Sequence, residues 1–298
     1  MSRAHVSICI PSYRRPEGLF ALLGALDGLV FDGETPEIQL VVVDNDAEGS
    51  AWPVCENARS WLRHPLRYVV EKRKGIPIAR NAAVAAGSDA QWIAFVDDDE
   101  TPEPRWLEAL LRTQRECAAD VVTGPVVPRF AAEPPRWVLE GGFFASLEHA
   151  TGEVLHSAYT NNVLVRTACL DALPSLFDER FQLGVGEDRE LFERIAARGG
   201  RIVWCREARV YERVPAERAR LRWLLRRGFR VGASNTHITR LRADGPVAGR
   251  VAAHGAWCVA RGTARAVGGV ARGPVAAVRG LQLAAFGLGR VAGLLGLR

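Results

Sequence analysis

The run Asp97-Asp98-Asp99-Glu100 sets four carboxylates side by side, directly after the apolar stretch Trp92-Ile93-Ala94-Phe95-Val96. Adjacent carboxylates at the end of a buried strand repel one another, and a divalent cation shared with phosphate oxygens relieves that repulsion. Strand alternation predicts Asp97 and Asp99 on one side and Asp98 on the other, leaving the cation one or two protein oxygens and room for a diphosphate. Elsewhere in a chain such a run reads as a solvated acidic turn; its place at a strand end favours the metal. A second acidic pair, Glu187-Asp188, follows Gly184-Val185-Gly186 and opens a stretch in which Leu191, Phe192 and Ile195 recur at helical spacing. A helix N-terminus stabilises the ionised form of such a pair and burial in a cleft raises its basicity, so one carboxylate could act as a general base. The same pair could equally do no more than complement the helix dipole.

These groups need elements to bring them together. Short β-rich runs alternate with helical stretches from residue 6 to about residue 125, the pattern of a mostly parallel sheet with helices on both faces. Strands are predicted at Val6 to Pro11, Gln39 to Asp44, Arg67 to Val70, Trp92 to Val96 and Asp120 to Thr123. Helices are predicted at Glu17 to Leu29, Trp52 to Leu62, Ile76 to Ala86 and Pro104 to Ala118. The first strand runs into Pro-Ser-Tyr-Arg-Arg, the second into Asp-Asn-Asp and the fourth into the acidic run. Loops at the carboxyl ends of parallel strands converge on one crevice, so three polar clusters there argue for one site. Residues 126–160 read as a loop-rich connection. Beyond them, Thr160 to Val165 and Arg201 to Trp204 read as strands, and helices are expected from about Glu187 to Arg198 and from about Glu217 to Val231.

Read together, the run from Val6 to Arg15, Val43-Asp44-Asn45, the run from Gly75 to Asn81, the acidic run and the Gly-Glu-Asp element resemble the family 2 inverting glycosyltransferases. The wording of residues 44–49, 97–106 and 210–215 is similar to exopolysaccharide glucosyltransferases of the succinoglycan-biosynthesis type. The resemblance implies a GT-A domain over residues 1–244 that binds a nucleotide diphospho-sugar with Mg²⁺ or Mn²⁺. It implies that Pro11, Tyr13 and Arg15 lie near the base with Asp44 accepting from its ring N–H, and that Arg80 approaches the diphosphate. Asp97 and Asp98 would lie near the ribose and sugar, and Asp99 would ligate the metal, with Asp97 as a second candidate. The implied reaction is a single in-line displacement with Asp188, beside Glu187, as base. Glu212 stands where many relatives carry a metal-binding His, and its carboxylate could replace that ligand. Arg227 is the candidate for a guanidinium at the diphosphate, and Asn162 and Trp204 for the acceptor side. A sugar-phosphate nucleotidyltransferase is the rival enzyme, although Pro-Ser-Tyr-Arg-Arg is not its Gly-rich phosphate loop. A non-catalytic membrane-associated subunit of a glycan-assembly complex is the rival outside catalysis.

Charge is unevenly placed along the 298 residues. The formal net charge is +5, yet residues 245–298 carry seven Arg and no Lys, Asp or Glu, which leaves the first 244 residues slightly acidic. The basicity belongs to a tail, so nucleic acid is not expected as a partner. Arg250, Arg261, Arg265, Arg272, Arg279 and Arg290 are spaced by near-whole helical turns and predict one basic stripe, interrupted at Gly273-Pro274. No uninterrupted apolar run approaches the length of a spanning helix. The expectation is therefore an amphipathic pair of helices lying on an anionic membrane surface, suited to an acceptor saccharide carried on a polyprenyl diphosphate. The alternative is a helical extension packed on the domain. Six scattered Cys without paired spacing and a strand-like N-terminus predict reduced thiols and a cytoplasmic protein, peripheral on the inner face of the membrane.

Overall fold

The computed structural model describes residues 3–181, 186–243 and 245–296. Gly184, Val185 and the boundary residue Asp244 therefore lie outside the described residues. The chain divides into two compact units, residues 1–128, 146–182 and 187–213 in the first and residues 129–145, 183–186 and 214–298 in the second.

The first unit begins with β1 (His5–Ser12), α1 (Pro16–Asp27), β2 (Glu37–Asp44), α2 (Trp52–Ala58), β3 (Leu66–Val70), α3 (Ile76–Gly87) and β4 (Trp92–Val96). There follow β5 (Glu100–Pro102), α4 (Trp106–Cys117), β6 (Val121–Thr123), β7 (Val126–Phe130), then α5 (Arg136–Glu140), which belongs to the second unit, and β8 (Val154–Leu155), β9 (Asn162–Arg166) and α6 (Thr167–Asp171). The chain continues through α7 (Glu187–Ala197), β10 (Ile202–Trp204) and β11 (Val210–Val214). Eight strands form one sheet in the order β3-β2-β1-β4-β9-β6-β10-β8, and β5-β11-β7 form a second.

The predicted strands are present, but the sheet is more mixed than a βαβ reading implies. β3, β2, β1 and β4 run parallel; β9 then pairs antiparallel with both β4 and β6 and separates them. β6 finds its parallel partner in β10. Pairing between strands so distant in sequence is decided by which apolar faces meet, which local periodicity does not encode. Alternating side chains supply the two cores. Ile8, Ile10, Leu40, Val42 and Ala94 face α1, α2 and α4, whereas Cys9, Val41, Val43, Ile93 and Phe95 face α3, α6 and α7. Strands buried on both faces read as continuous apolar runs, as β2 and β4 do. Residues 126–160 contain β7, α5 and β8 rather than loop alone. α7 stops where Gly199 takes a φ of +89°, a conformation that favours glycine at a helix end. All six Cys are free.

The second unit holds α8 (Leu221–Arg242), α9 (Ala248–Val270) and α10 (Pro274–Leu294). α8 runs well beyond the predicted Val231. The expected break is at Gly273-Pro274, where Gly273 adopts φ +103° and Pro274 starts α10. Among the described residues, α10 alone is long and apolar enough to cross a membrane by length and composition, at a hydropathy of 1.2. The apolar-run expectation missed it because Arg279 and Arg290 are far enough apart to leave the average apolar.

Glycine lets α10 pack against both α8 and α9. Gly255, Gly262 and Gly269 of α9 recur every seven residues and meet Gly287, Ala284 and Ala277 of α10. On α8, Gly228 and Gly232 lie against Gln282 and Phe286, and Gly289 of α10 lies against Phe229. A Cβ at Gly289 would overlap the Phe229 carbonyl, so backbone touches backbone along this seam. Gly289→Ala should destabilise the chain by about 1–3 kcal/mol through overpacking. Gly268→Ala, with open space around the new methyl, should be neutral or stabilising through helix propensity. Urea melts followed by helix ellipticity compare the two; equal effects would show that the seam is not close-packed.

Candidate active site

The acidic run leaves β4 and turns at once, with the Glu100 N–H donating to the Asp97 carbonyl at 3.1 Å. The turn breaks the expected alternation. Asp98 and Asp99 both meet Arg15, whose Nη1 lies 2.9 Å and 2.8 Å from their carboxylates, while Asp97 faces Arg80 instead. Asp98 is buried and also accepts from the Ser12 hydroxyl at 2.8 Å and the Tyr13 N–H at 3.2 Å. The loop after β1 is thus fastened to the loop after β4. Tyr13 stands beside Lys74, whose Nζ donates to the Tyr13 hydroxyl and lies 4.5 Å from the ring centroid. The Arg14 guanidinium also sits against that ring while pairing with Asp46. Pro11, at the end of β1, is half-buried.

Asp44 is fully buried and its oxygens are taken by the N–H groups of Asp46 and Ala51 and by the Tyr68 hydroxyl. It shapes the loop after β2. Asn45 does similar work. Its amide donates to the carbonyls of Glu71 and Arg73 and its oxygen accepts from the Gly75 N–H, joining the loops after β2 and β3. Gly75 has φ +156° immediately before α3.

Arg80 is buried on α3. Its guanidinium makes a very short ion pair with Glu187 at the start of α7, and its other terminal nitrogen lies 3.5 Å from Asp97. Both carboxylates are pushed above the usual range by burial, and Arg80 opposes the shift in each; Asp97 reaches about 6. Arg80 itself stays charged, because Glu187 and Asp97 outweigh its own loss of solvent. The Arg80 Nε and Glu187 Oε2 are buried without a protein partner. This arrangement departs from an arginine waiting for a diphosphate: Arg80 is neutralised within the protein and ties the acidic run to the Glu-Asp element. Asp188, next along α7, is half-buried and accepts from the Arg189 N–H at 2.7 Å. Glu187, Asp188 and Glu190 all lie in the first turn of α7, where the helix dipole favours negative charge.

The pKa of Asp97 sets a pH test. A folded value raised from 3.8 to about 6 favours the fold when the group is protonated, a contribution present below pH 3.8 and lost as pH rises through about 6. Asp97→Asn should flatten the stability profile across that window. Urea midpoints measured from pH 4 to 7 read the difference; an unchanged slope would mean that Asp97 is well solvated.

A divalent cation fits the chemistry of the cluster. Glu100 is buried and accepts from the Asp97 N–H at 2.9 Å; its carboxyl is pushed well above the usual range by burial, then by Asp97, Asp99 and Glu212. Such a crowd of hard oxygen donors suits Mg²⁺ or Mn²⁺. Glu212 is brought here because β11 pairs antiparallel with β5, setting Glu212 opposite Glu100. No group of three His, Cys, Asp or Glu is gathered closely enough to hold an ion among the described residues. The expected trio of Asp97, Asp99 and Glu212 is therefore not a preformed cage, because Asp97 turns to Arg80 and Asp99 to Arg15.

Two acceptor candidates are buried. Asn162 is buried at the start of β9, accepts from the Trp106 indole and donates to the carbonyls of Pro125 and Ala208, which leaves its amide fully used. Trp204 is buried in β10 with its ring 5.2 Å from that of His149. A sequence does not distinguish an amide that satisfies core carbonyls from one that awaits a sugar. Arg227 lies on α8 in the second unit, its guanidinium 5.4 Å from the Trp223 ring. Ser12, Asn45, Lys74 and Glu100 were not singled out as site residues, although each stands in or beside a motif that was.

The comparisons with known proteins agree with this geometry. The glycosyl transferase family 2 model matches residues 7–173. The succinoglycan biosynthesis protein ExoM of Rhizobium meliloti (strain 1021) is 37% identical over 246 residues, spanning 81% of this chain and 77% of the relative. Among solved structures, TarS 1-349 of S. aureus in complex with UDP superposes with a TM-score of 0.55 at 18% identity, covering 83% of this chain and 69% of that one. The mannosyltransferase PcManGT of Pyrobaculum calidifontis, in complex with GDP-Man and Mn²⁺, gives 0.61 at 18% identity, covering 83% and 67%. These likenesses identify the fold as GT-A. With the family model over more than half of its length and the acidic run, the Arg80 bridge and the Glu-Asp element drawn together, the chain belongs to glycosyltransferase family 2.

Proposed function

We propose that this glycosyltransferase moves a sugar, glucose from UDP-glucose being the first donor to test, from a nucleotide diphospho-sugar to a hydroxyl of a saccharide acceptor. The reaction inverts the anomeric centre in one displacement and serves exopolysaccharide synthesis, as the name of the ExoM relative suggests. The observation that carries the reading is the buried Arg80, which joins Asp97 at the end of β4 to Glu187 beside Asp188. The donor-side Asp97 and Glu187, the neighbour of the base, are thereby held by one side chain.

Asp188 takes the proton from the acceptor hydroxyl as that oxygen attacks the anomeric carbon. Tyr13 offers its ring to the nucleobase, with Pro11 and Arg15 beside it. Asp98 and Asp97 orient the ribose and sugar, and Arg15 meets phosphate charge. Asp99, with Asp97 and Glu212 as further oxygens, would hold Mg²⁺ or Mn²⁺, which supplies charge neutralisation at the departing diphosphate. Mn²⁺ accompanies the donor in the Pyrobaculum neighbour, which supports a divalent ion in the same fold. Glu187 positions Arg80 rather than sharing the role of base. Catalysis is assigned to residues 1–244 and membrane attachment to residues 245–298. The acceptor is a polyprenyl-diphosphate-linked saccharide and the enzyme works in the cytoplasm, on the inner face of the membrane.

Incubation with a panel of nucleotide sugars and lipid-linked acceptors tests this directly. Expected products are the nucleoside diphosphate and a glycoside of inverted anomeric configuration, with turnover lost on chelation. Release of pyrophosphate would instead establish a nucleotidyltransferase, and retained configuration would rule out single displacement.

A further inference from the structure

α9 carries three distinct rows. Val251, Gly255, Cys258, Gly262, Ala266 and Gly269 are buried, with its glycines meeting α10. Arg250, Arg261 and Arg265 are exposed and fall within an arc of about 60° at 100° per residue, followed by exposed Arg272 in the turn after the helix. Opposite the buried row, Ala253, Trp257, Ala260, Ala264 and Val267 form an exposed apolar arc of about 80°. Trp257 is 52% exposed and Val267 70%, and Arg261 lies 4.9 Å from the Trp257 ring.

The basic stripe expected along the whole tail is carried by α9 and by Arg272 in the turn after it. Arg279 on α10 donates to the Gly141 carbonyl, and the Arg290 Nε is buried without a protein partner. The chain break at Gly273-Pro274 resets the helical phase, so spacing counted across it does not hold.

We infer that the outer face of α9 is a docking surface for an anionic lipid bilayer. Its Ala, Val and Trp side chains enter the headgroup boundary, and the four arginines pair with lipid phosphates at the flank. The inference specifies the membrane part of the proposed function and does not depend on the transfer chemistry. Three features favour this occupant. An apolar arc bordered by arginines, with an aromatic ring at its edge, suits the interface of a bilayer. Residues 245–298 contain no acidic residue, so an antiparallel second copy meeting this face about a two-fold axis would set arginine row against arginine row, and a parallel one would offer the arginines no carboxylate from this tail. A nucleic acid would answer the arginines and leave the apolar arc without a partner.

The full chain is tested by co-sedimentation with phosphatidylcholine vesicles, with and without phosphatidylglycerol, in the absence of donor and acceptor. Binding should require phosphatidylglycerol, weaken with added salt, and fall by roughly tenfold or more when Arg250, Arg261, Arg265 and Arg272 are all replaced by Ser. Arg209→Ser, an exposed change on the first unit, should bind as wild type. Brominated lipid should quench fluorescence in the wild type, and Trp257→Phe should lose much of that quenching while still sedimenting. The proposal is overturned if the fourfold variant, with wild-type helix content, binds as well as wild type, or if wild type ignores phosphatidylglycerol. It is also overturned if α9 proves to be covered by a second copy in solution, seen as a stable dimer that the fourfold variant dissolves. Loss of transfer activity in an Asp188 variant that still sediments would leave this surface standing.

Discussion

Replacing Asp188 by Asn should lower kcat by about 10²–10⁴-fold while donor affinity stays close to wild type. The change preserves size and the acceptor oxygen that meets the Arg189 N–H, and removes the negative charge together with the ability to take a proton. Asp188 is half-buried at the first turn of α7, and its charge is felt by Arg80, Glu187 and Asp97. It is thus close to the donor-side carboxylates without being consumed by them. Turnover with saturating donor and acceptor, set beside calorimetric titration of the nucleoside diphosphate, separates the base from a binding residue. An Asp188→Asn enzyme that keeps wild-type kcat would remove Asp188 from the mechanism. Glu187→Gln should behave differently, changing stability before it changes chemistry.

Arg80→Met should destabilise the chain by about 3–5 kcal/mol, the effect of stripping one partner from a buried ion pair. Two carboxylates lose their cation at once: Glu187 is almost wholly buried, and Asp97 is already pushed upward by burial. The double change Arg80→Met with Glu187→Met should recover most of that loss, since an apolar pair of similar size needs no counter-charge. Urea denaturation of the two single variants and the double variant closes the cycle. If Arg80→Met lies within about 1 kcal/mol of wild type, water reaches the pair and the bridge does not hold α3 to α7.

Local chemistry was the most legible layer of this sequence. β1, β2 and β4 are continuous apolar runs ending in polar clusters, and α1 shows Leu19, Leu22, Leu23 and Leu26 at helical spacing, all buried. Partnership was the least legible. Nothing in residues 162–166 announces that β9 slides between β4 and β6, because strand order follows from distant apolar faces. Arg80 carries the same letter whether it waits for a diphosphate or neutralises Glu187. Asn162 shows the same ambiguity, and its three hydrogen bonds resolve it in favour of the core. The arginine stripe failed for a geometrical reason, since periodicity belongs to one helix at a time. One signal was available and passed over: glycines at 255, 262 and 269, then 280 and 287, repeat by sevens and mark the α9–α10 seam.

The stitching by Asp44 and Asn45 bears on how a ligand is received. Two loops at the crevice are already held by side-chain bonds to backbone, the stretch 44–51 after β2 by Asp44 and the stretch 71–75 after β3 by Asn45. Fixing one residue of free backbone consumes roughly 1–2 kcal/mol, and here folding has done so before any ligand arrives. Association at these loops should therefore show a modest entropy loss and a heat-capacity change set by contact area alone. Asn45→Ala would transfer that ordering from folding to binding: a chain somewhat easier to unfold, and a ligand that must organise its own seat.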